Sequence, residues 1–333
     1  MHEKVKVLII RFSSIGDIVL TTPVIRCLKT QMEGTVELHY LTMERYQGLL
    51  INNPYIDHIH SIQKSTNEVI EVLKKEHFDY IIDLHKNLRS FRVKKQLKSL
   101  SFSFNKLNIE KWLLVNFKID RMPPIHIVDR YLESCKAFGI ENDGLGLDYF
   151  FPEDKNYIVN LSEEFNAAYV AVVIGANHNT KRLPTNRLIE MVKQINRPIV
   201  LLGGSKDAGI AEEVMNSTEQ VIYNAVGQTN FDQSAYLLKK ASAIISPDTG
   251  MMHIAAAFNK IIISLWGNTV PSLGMYPYLK KGKESNSKIF EVKDLSCRPC
   301  SKIGFDNCPK KHFKCMNQLP LEKIASLALR ENA

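Results

Sequence analysis

Short apolar runs recur along this chain with amphipathic stretches between them, and that alternation constrains its fold more than any other feature. The first half carries "VKVLIIRF", "TVELHYLT", "DHIHSI" and "DYIIDLH", with helix-like stretches such as "TTPVIRCLKTQ" and "TNEVIEVLKKEHF" between them. The second half restarts the pattern with "YVAVVIGA", "PIVLLGG", "QVIYNA", "ASAIISPD" and "KIIISLWG". Strands that alternate with helices imply βαβ units and a parallel sheet. Two such series predict an α/β protein of two doubly wound, Rossmann-like domains, and 333 residues suits two domains of ordinary size. The stretch "GIENDGLGLDYFFPEDKNY" is rich in Gly, Asp, Asn and Pro and is the best linker, so domains over 1–155 and 156–333, facing each other across a cleft, are expected.

The composition is that of a globular chain, and no period suggests a solenoid. The apolar run Val5 to Ile10 is closed by Arg11 and is too short for a signal-peptide core or a membrane span. A cytoplasmic protein is expected, with any membrane contact peripheral. The formal net charge of +8 favours anionic partners without naming their class.

Ligands of open parallel sheets bind beyond the carboxyl ends of the strands, where the motifs lie. In "RFSSIGDIVLTTP" the first strand turns into a helix, so Ser13, Ser14 and the Gly16 backbone can donate to an anion. Asp17 is either a helix-terminal cap or a carboxylate placed to accept a proton. A dinucleotide fingerprint needs G-x-G-x-x-G here, and only Gly16 is present. In "SPDTGMMHIAAAF", Asp248, Thr249 and Gly250 form a turn into a helix, the outline of a diphosphate cradle, with His253 close behind; capping by Asp248 or Thr249 explains the same residues. "GANHNTKRLPTNRLIEM" sets Asn177, Thr180, Lys181 and Arg182 in a loop, as an anion site or as a solvated surface pair. "LLGGSKDAG" places Asp207 to accept from a sugar or ribose hydroxyl.

From Lys86 to Arg121 basic residues, among them Lys86, Arg89 and Arg92, greatly outnumber acidic ones, with Phe102, Phe104 and Trp112 interleaved. A polyanion partner is indicated. Single-stranded nucleic acid suits such a surface, but no recognisable nucleic-acid module is present and none is expected to bind. An acidic phosphorylated glycolipid at the inner leaflet fits the same charges, and a merely solvated face remains the plain alternative. Cys297, Cys300, Cys308 and Cys315, with His312 among them, permit a structural zinc or remain reduced thiols.

Taken in order, "RFSSIGDIVLTTPVIRCLK", "DLHKNLRS", "TKRLP" and "DTGMMHIAAAF" resemble the lipopolysaccharide heptosyltransferases of glycosyltransferase family 9. The resemblance implies the two-domain GT-B fold, with the acceptor side and catalytic base in the first domain and a nucleotide-activated heptose held mainly by the second. It implies inverting transfer without a cofactor or catalytic metal, from ADP-heptose to a lipopolysaccharide core acceptor at the cytoplasmic face of the inner membrane. By position Asp17 matches the family's base, Lys181 its donor-phosphate lysine, and Asp248, Thr249, Gly250 and His253 its donor-binding turn. Ser14, Gly16, Asn177, Thr180 and Asp207 are expected around the donor, and Lys86, Arg89 and Arg92 toward the acceptor. Two departures are Leu183 where the family has Trp, and "GNT" at Gly267 to Thr269 in place of "GPT". Another donor or acceptor on the same scaffold, or a non-catalytic nucleotide-sugar or nucleic-acid binder, is the alternative.

Overall fold

The computed structural model describes residues 4–329; the outermost residues of the two expected domains lie outside the described residues. The chain divides into two units, 4–106 with 125–153 and 107–124 with 154–329, so it passes between them at 106/107, 124/125 and 153/154.

The first unit holds β1 (Lys4–Ile10), α1 (Ile15–Val19), α2 (Thr22–Gln31), β2 (Thr35–Met43), β3 (His58–Ile62), β4 (Tyr80–Asp83), α3 (Ile70–Lys75, before β4), α4 (Leu88–Leu97) and β5 (Leu100–Ser103). The helix α5 (Asn108–Phe117) belongs to the second unit, and the chain then returns for α6 (Ile127–Glu133). Its strands form one parallel sheet in the order β3-β2-β1-β4-β5. In the centre of that sheet Val7, Leu8, Ile9 and Ile10 are fully buried, the continuous apolar run of a strand covered on both faces. The strand order reverses between β1 and β4, so the loops that leave these two strands open the crevice of the sheet.

In the second unit β6 (Val170–Val173), α7 (Thr185–Lys193), β7 (Ile199–Leu202), α8 (Ala208–Asn216), β8 (Ile222–Asn224), α9 (Phe231–Lys240), β9 (Ala243–Pro247), α10 (Gly250–Ala257), β10 (Ile261–Trp266) and β11 (Ser287–Glu291) follow in turn. The sheet is parallel, in the order β11-β10-β9-β6-β7-β8, and reverses between β6 and β9. The helices α11 (Lys314–Asn317) and α12 (Leu321–Ala328) complete the unit, where Met316, Leu321, Ile324 and Ala328 join the core of the sheet.

Candidate functional site

At the switch point of the first unit, the loop after β1 meets the loop after β4. Arg11 directly follows β1 and is buried. Its guanidinium donates to the carbonyls of Ser13 (2.8 Å) and Leu84 (2.5 Å) and to the Tyr131 hydroxyl (3.0 Å), and so ties the two loops to α6. Its remaining edge forms an ion pair with Asp17 at 2.6 Å. Asp17 is the third residue of α1, and its other oxygen accepts from the Ser14 N–H (3.2 Å) and the Ser14 hydroxyl (2.8 Å). Asp17 closes the start of the helix while keeping about a fifth of its side chain exposed. Burial works to raise the Asp17 carboxyl, but the Arg11 charge and the Ser14 donors outweigh it and hold it below the ordinary carboxylate range. A carboxylate in this setting is ionised and keeps lone pairs open to solvent.

The "DLHKNLRS" turn sits beside it. Asp83 is buried at the end of β4 and accepts from the His85 N–H (3.1 Å), the Lys86 N–H (2.6 Å) and the Ser90 hydroxyl (2.8 Å), with Lys94 paired at 2.9 Å. This shapes the turn into α4. The His85 ring packs edge-on against Phe12 (5.1 Å between centroids), and burial, then Arg11 and Lys106, push it down to about 4, so the imidazole is neutral. Of the three expected acceptor residues, Lys86 turns its ammonium to the Phe104 carbonyl (2.9 Å), while the Arg89 guanidinium lies over the Phe12 ring at 5.3 Å. Arg89 and Arg92 line an open groove of about 340 Å³ with Lys64, Thr66, Asn87 and Leu88. The segment from Lys64 to Thr66 has no place in the sequence reading of this surface; the backbone N–H groups of Gln63, Lys64 and Ser65 all donate to Glu68, which fixes the loop.

At the switch point of the second unit the loops after β6 and β9 meet in the same way. Lys181 and Asp248 form an ion pair at 2.6 Å, and the Thr269 hydroxyl donates to the same Asp248 oxygen at 2.9 Å. Thr249 is the N-cap of α10 with extended backbone, and Gly250 is the first helical residue, so the helix start directly follows Asp248. The Lys181 ammonium is held in place there by Asp248. Thr180 is buried, donates to the Phe305 carbonyl (2.9 Å) and accepts from the Phe305 N–H (2.8 Å), so its part is to anchor the loop that presents Lys181. Asn177 is exposed and touches His178 at 3.2 Å. His253 is buried in α10. Asp207 is buried too: it pairs with Arg182 at 2.8 Å and accepts from the Gly204 N–H at 2.9 Å. A Cβ on Gly175 would lie 2.2 Å from the Asp207 carboxylate, so Gly175 allows the close approach.

The Cys-rich segment braces the same site. Arg298 lies between two cysteines and donates to the carbonyls of Gly267 (2.6 Å), Val292 (2.6 Å), Trp266 (3.2 Å) and Thr269 (2.9 Å) and to Glu291 (3.0 Å). The Cys300 N–H donates to the Asn268 carbonyl (2.9 Å), and the Asn268 side chain donates to Ser301 (3.1 Å). All three residues of "GNT" are thus gripped from one loop, and a Cβ on Gly267 would fall 2.6 Å from the Thr180 carbonyl. The Cys297 sulfur and His312 Nε2 approach to 3.8 Å, while burial pushes the thiols of Cys300 up to about 11 and of Cys315 up to about 12. Sequence reasoning missed Arg11 and Arg298. The first has a signal, an arginine facing an aspartate across one turn; the second has none.

The family model for glycosyltransferase family 9 (heptosyltransferase) matches residues 67–305. Lipopolysaccharide heptosyltransferase 1 of Campylobacter coli is 23% identical over 296 residues, 79% of this chain and 84% of that protein. A glycosyl transferase family 9 structure from Veillonella parvula superposes with a TM-score of 0.74 at 19% identity, covering 98% of this chain and 97% of the other. An Escherichia coli heptosyltransferase solved with ADP-2-deoxy-2-fluoro heptose gives a TM-score of 0.60 at 18% identity, over 80% of this chain and 90% of that one. These likenesses carry the fold: two doubly wound parallel α/β units of the GT-B kind.

Proposed function

Because the chain belongs to glycosyltransferase family 9 (heptosyltransferase), we propose that it moves a heptose from ADP-heptose to an acidic lipopolysaccharide inner-core acceptor, with inversion and without a catalytic metal. The observation that carries this reading is the Lys181 ammonium, positioned by Asp248 at the start of α10, where it can meet a departing diphosphate. The relative solved with an ADP-heptose analogue supports the choice of donor.

In this reading the acceptor oxygen attacks the anomeric carbon, its proton passes to the Asp17 carboxylate, and the bond to the diphosphate breaks on the opposite face. Inversion follows from that single displacement. Lys181 and the α10 N–H groups take up the charge that develops on the leaving oxygen. Arg11 keeps Asp17 ionised and aimed. Arg89 and Arg92, in their groove, meet acidic groups of the acceptor. The enzyme works at the cytoplasmic face of the inner membrane by peripheral contact; no helix among the described residues is long and apolar enough to cross a membrane.

The test is acceptor-dependent ADP release from ADP-heptose. Asp17→Asn should lose transfer by about 10²-fold or more while binding ADP as before, and unimpaired turnover removes Asp17 from the mechanism. Salt-sensitive binding of a single-stranded oligonucleotide without ADP release would reverse the reading in favour of a nucleic-acid binder.

A further inference from the structure

We propose that Glu37, His39 and His58 form a structural site for a borderline divalent metal ion of the Zn²⁺ type, on the first unit and away from its switch point. Glu37 and His39 stand two apart on β2 and so share one face of the sheet. In the parallel register His39 lies beside His58 of β3, and Leu41 beside His60, which puts all four polar side chains on that face.

The Glu37 Oε1 atom is 2.9 Å from His58 Nε2 and 3.2 Å from His39 Nε2, and the three ligand atoms lie within 4.8 Å of one another. Ligand atoms around one tetrahedral zinc stand about 3.3 Å apart, so only small side-chain movement seats an ion among them. Two imidazoles and a carboxylate are a ligand set zinc accepts, with water as the fourth ligand.

The neighbouring groups fix the orientation of the ligands. Lys4 holds the other Glu37 oxygen at 2.7 Å, and His39 Nδ1 meets His60 Nε2 at 2.9 Å. With a metal on Nε2, His39 carries its proton on Nδ1 and donates it to His60, the outer hydrogen bond that fixes a ligating imidazole. His39 and Glu37 are buried, whereas the His58 side chain is 54% exposed on the edge strand, which leaves an entry path from solvent. An ion bound here would clamp the edge strand β3 to β2.

The experiment is calorimetric titration of the whole protein with Zn²⁺, with Cys297, Cys300, Cys308 and Cys315 all changed to Ser, so that no thiol of that segment competes for the ion. One equivalent should bind and raise Tm, and His58→Ala should weaken it at least about tenfold. No binding in the serine background, or equal affinity after His58→Ala, overturns the proposal. If the serine variant does not fold, the wild-type protein is titrated with Co²⁺ and the visible bands of nitrogen- and oxygen-ligated cobalt are followed. Their loss in His58→Ala supports the site, and their persistence overturns it.

Discussion

Two influences oppose each other at Asp17, and the residue that decides between them stands at the end of the preceding strand. Burial raises the carboxyl; Arg11 at 2.6 Å lowers it, and with the Ser14 donors outweighs burial. Removing the guanidinium charge leaves burial in command, so in Arg11→Gln the acid limb of kcat/KM should move to higher pH, read from a pH–rate profile. An unmoved limb would mean that another group titrates there. Arg298 plays the structural counterpart in the second unit. Its side chain is 5% exposed and serves four carbonyls and Glu291, so Arg298→Met strands those acceptors and should cost about 3–5 kcal/mol in a denaturant titration. Donor binding should weaken with it, because the same loop holds Gly267 to Thr269. Arg298 escapes a sequence reading because a buried arginine is defined by the carbonyls it meets, and most of those come from distant stretches, whereas Arg11 at least faces Asp17 across one turn. Asp17, Lys181 and Asp248 were legible because each sits at the turn that follows a strand, although the pairing of Lys181 with Asp248 was not.

At the scale of elements, strands buried on both faces announce themselves. "PIVLLGG" and "KIIISLWG" are unbroken apolar runs, and β7 and β10 form from them. The edge strands β5 and β11, "LSFS" and "SKIFE", mix Ser, Lys and Glu with apolar residues because much of each remains exposed, and nothing in composition separates them from loops. α5 is an amphipathic element whose outer face is unusually apolar: Ile109, Trp112 and Phe117 are each at least half exposed, and the last two rings stand 5.0 Å apart. Together with Lys111 and Lys118 this face suits an anionic interface. The double variant Trp112→Ser, Phe117→Ser should therefore sediment less with anionic lipid vesicles while its Tm holds, since neither ring is buried. Unchanged sedimentation would exclude this face as a membrane contact.

At the scale of the molecule, the units are not successive halves of the chain, because 107–124 leaves the first unit and belongs to the second. A fragment ending at 153 should aggregate in a light-scattering assay, and replacing 107–124 in it by a Gly/Ser linker should relieve that, since α5 would no longer be present without its unit. Lys118, just beyond α5, donates to the Pro299 carbonyl at 2.7 Å, a partner about 180 positions further along. On the ribosome, which adds roughly 5–20 residues per second, α5 emerges many seconds before that partner exists. During this interval Leu114, buried in the finished protein, is open to chaperones, and the order of synthesis sets how long the nascent chain depends on them.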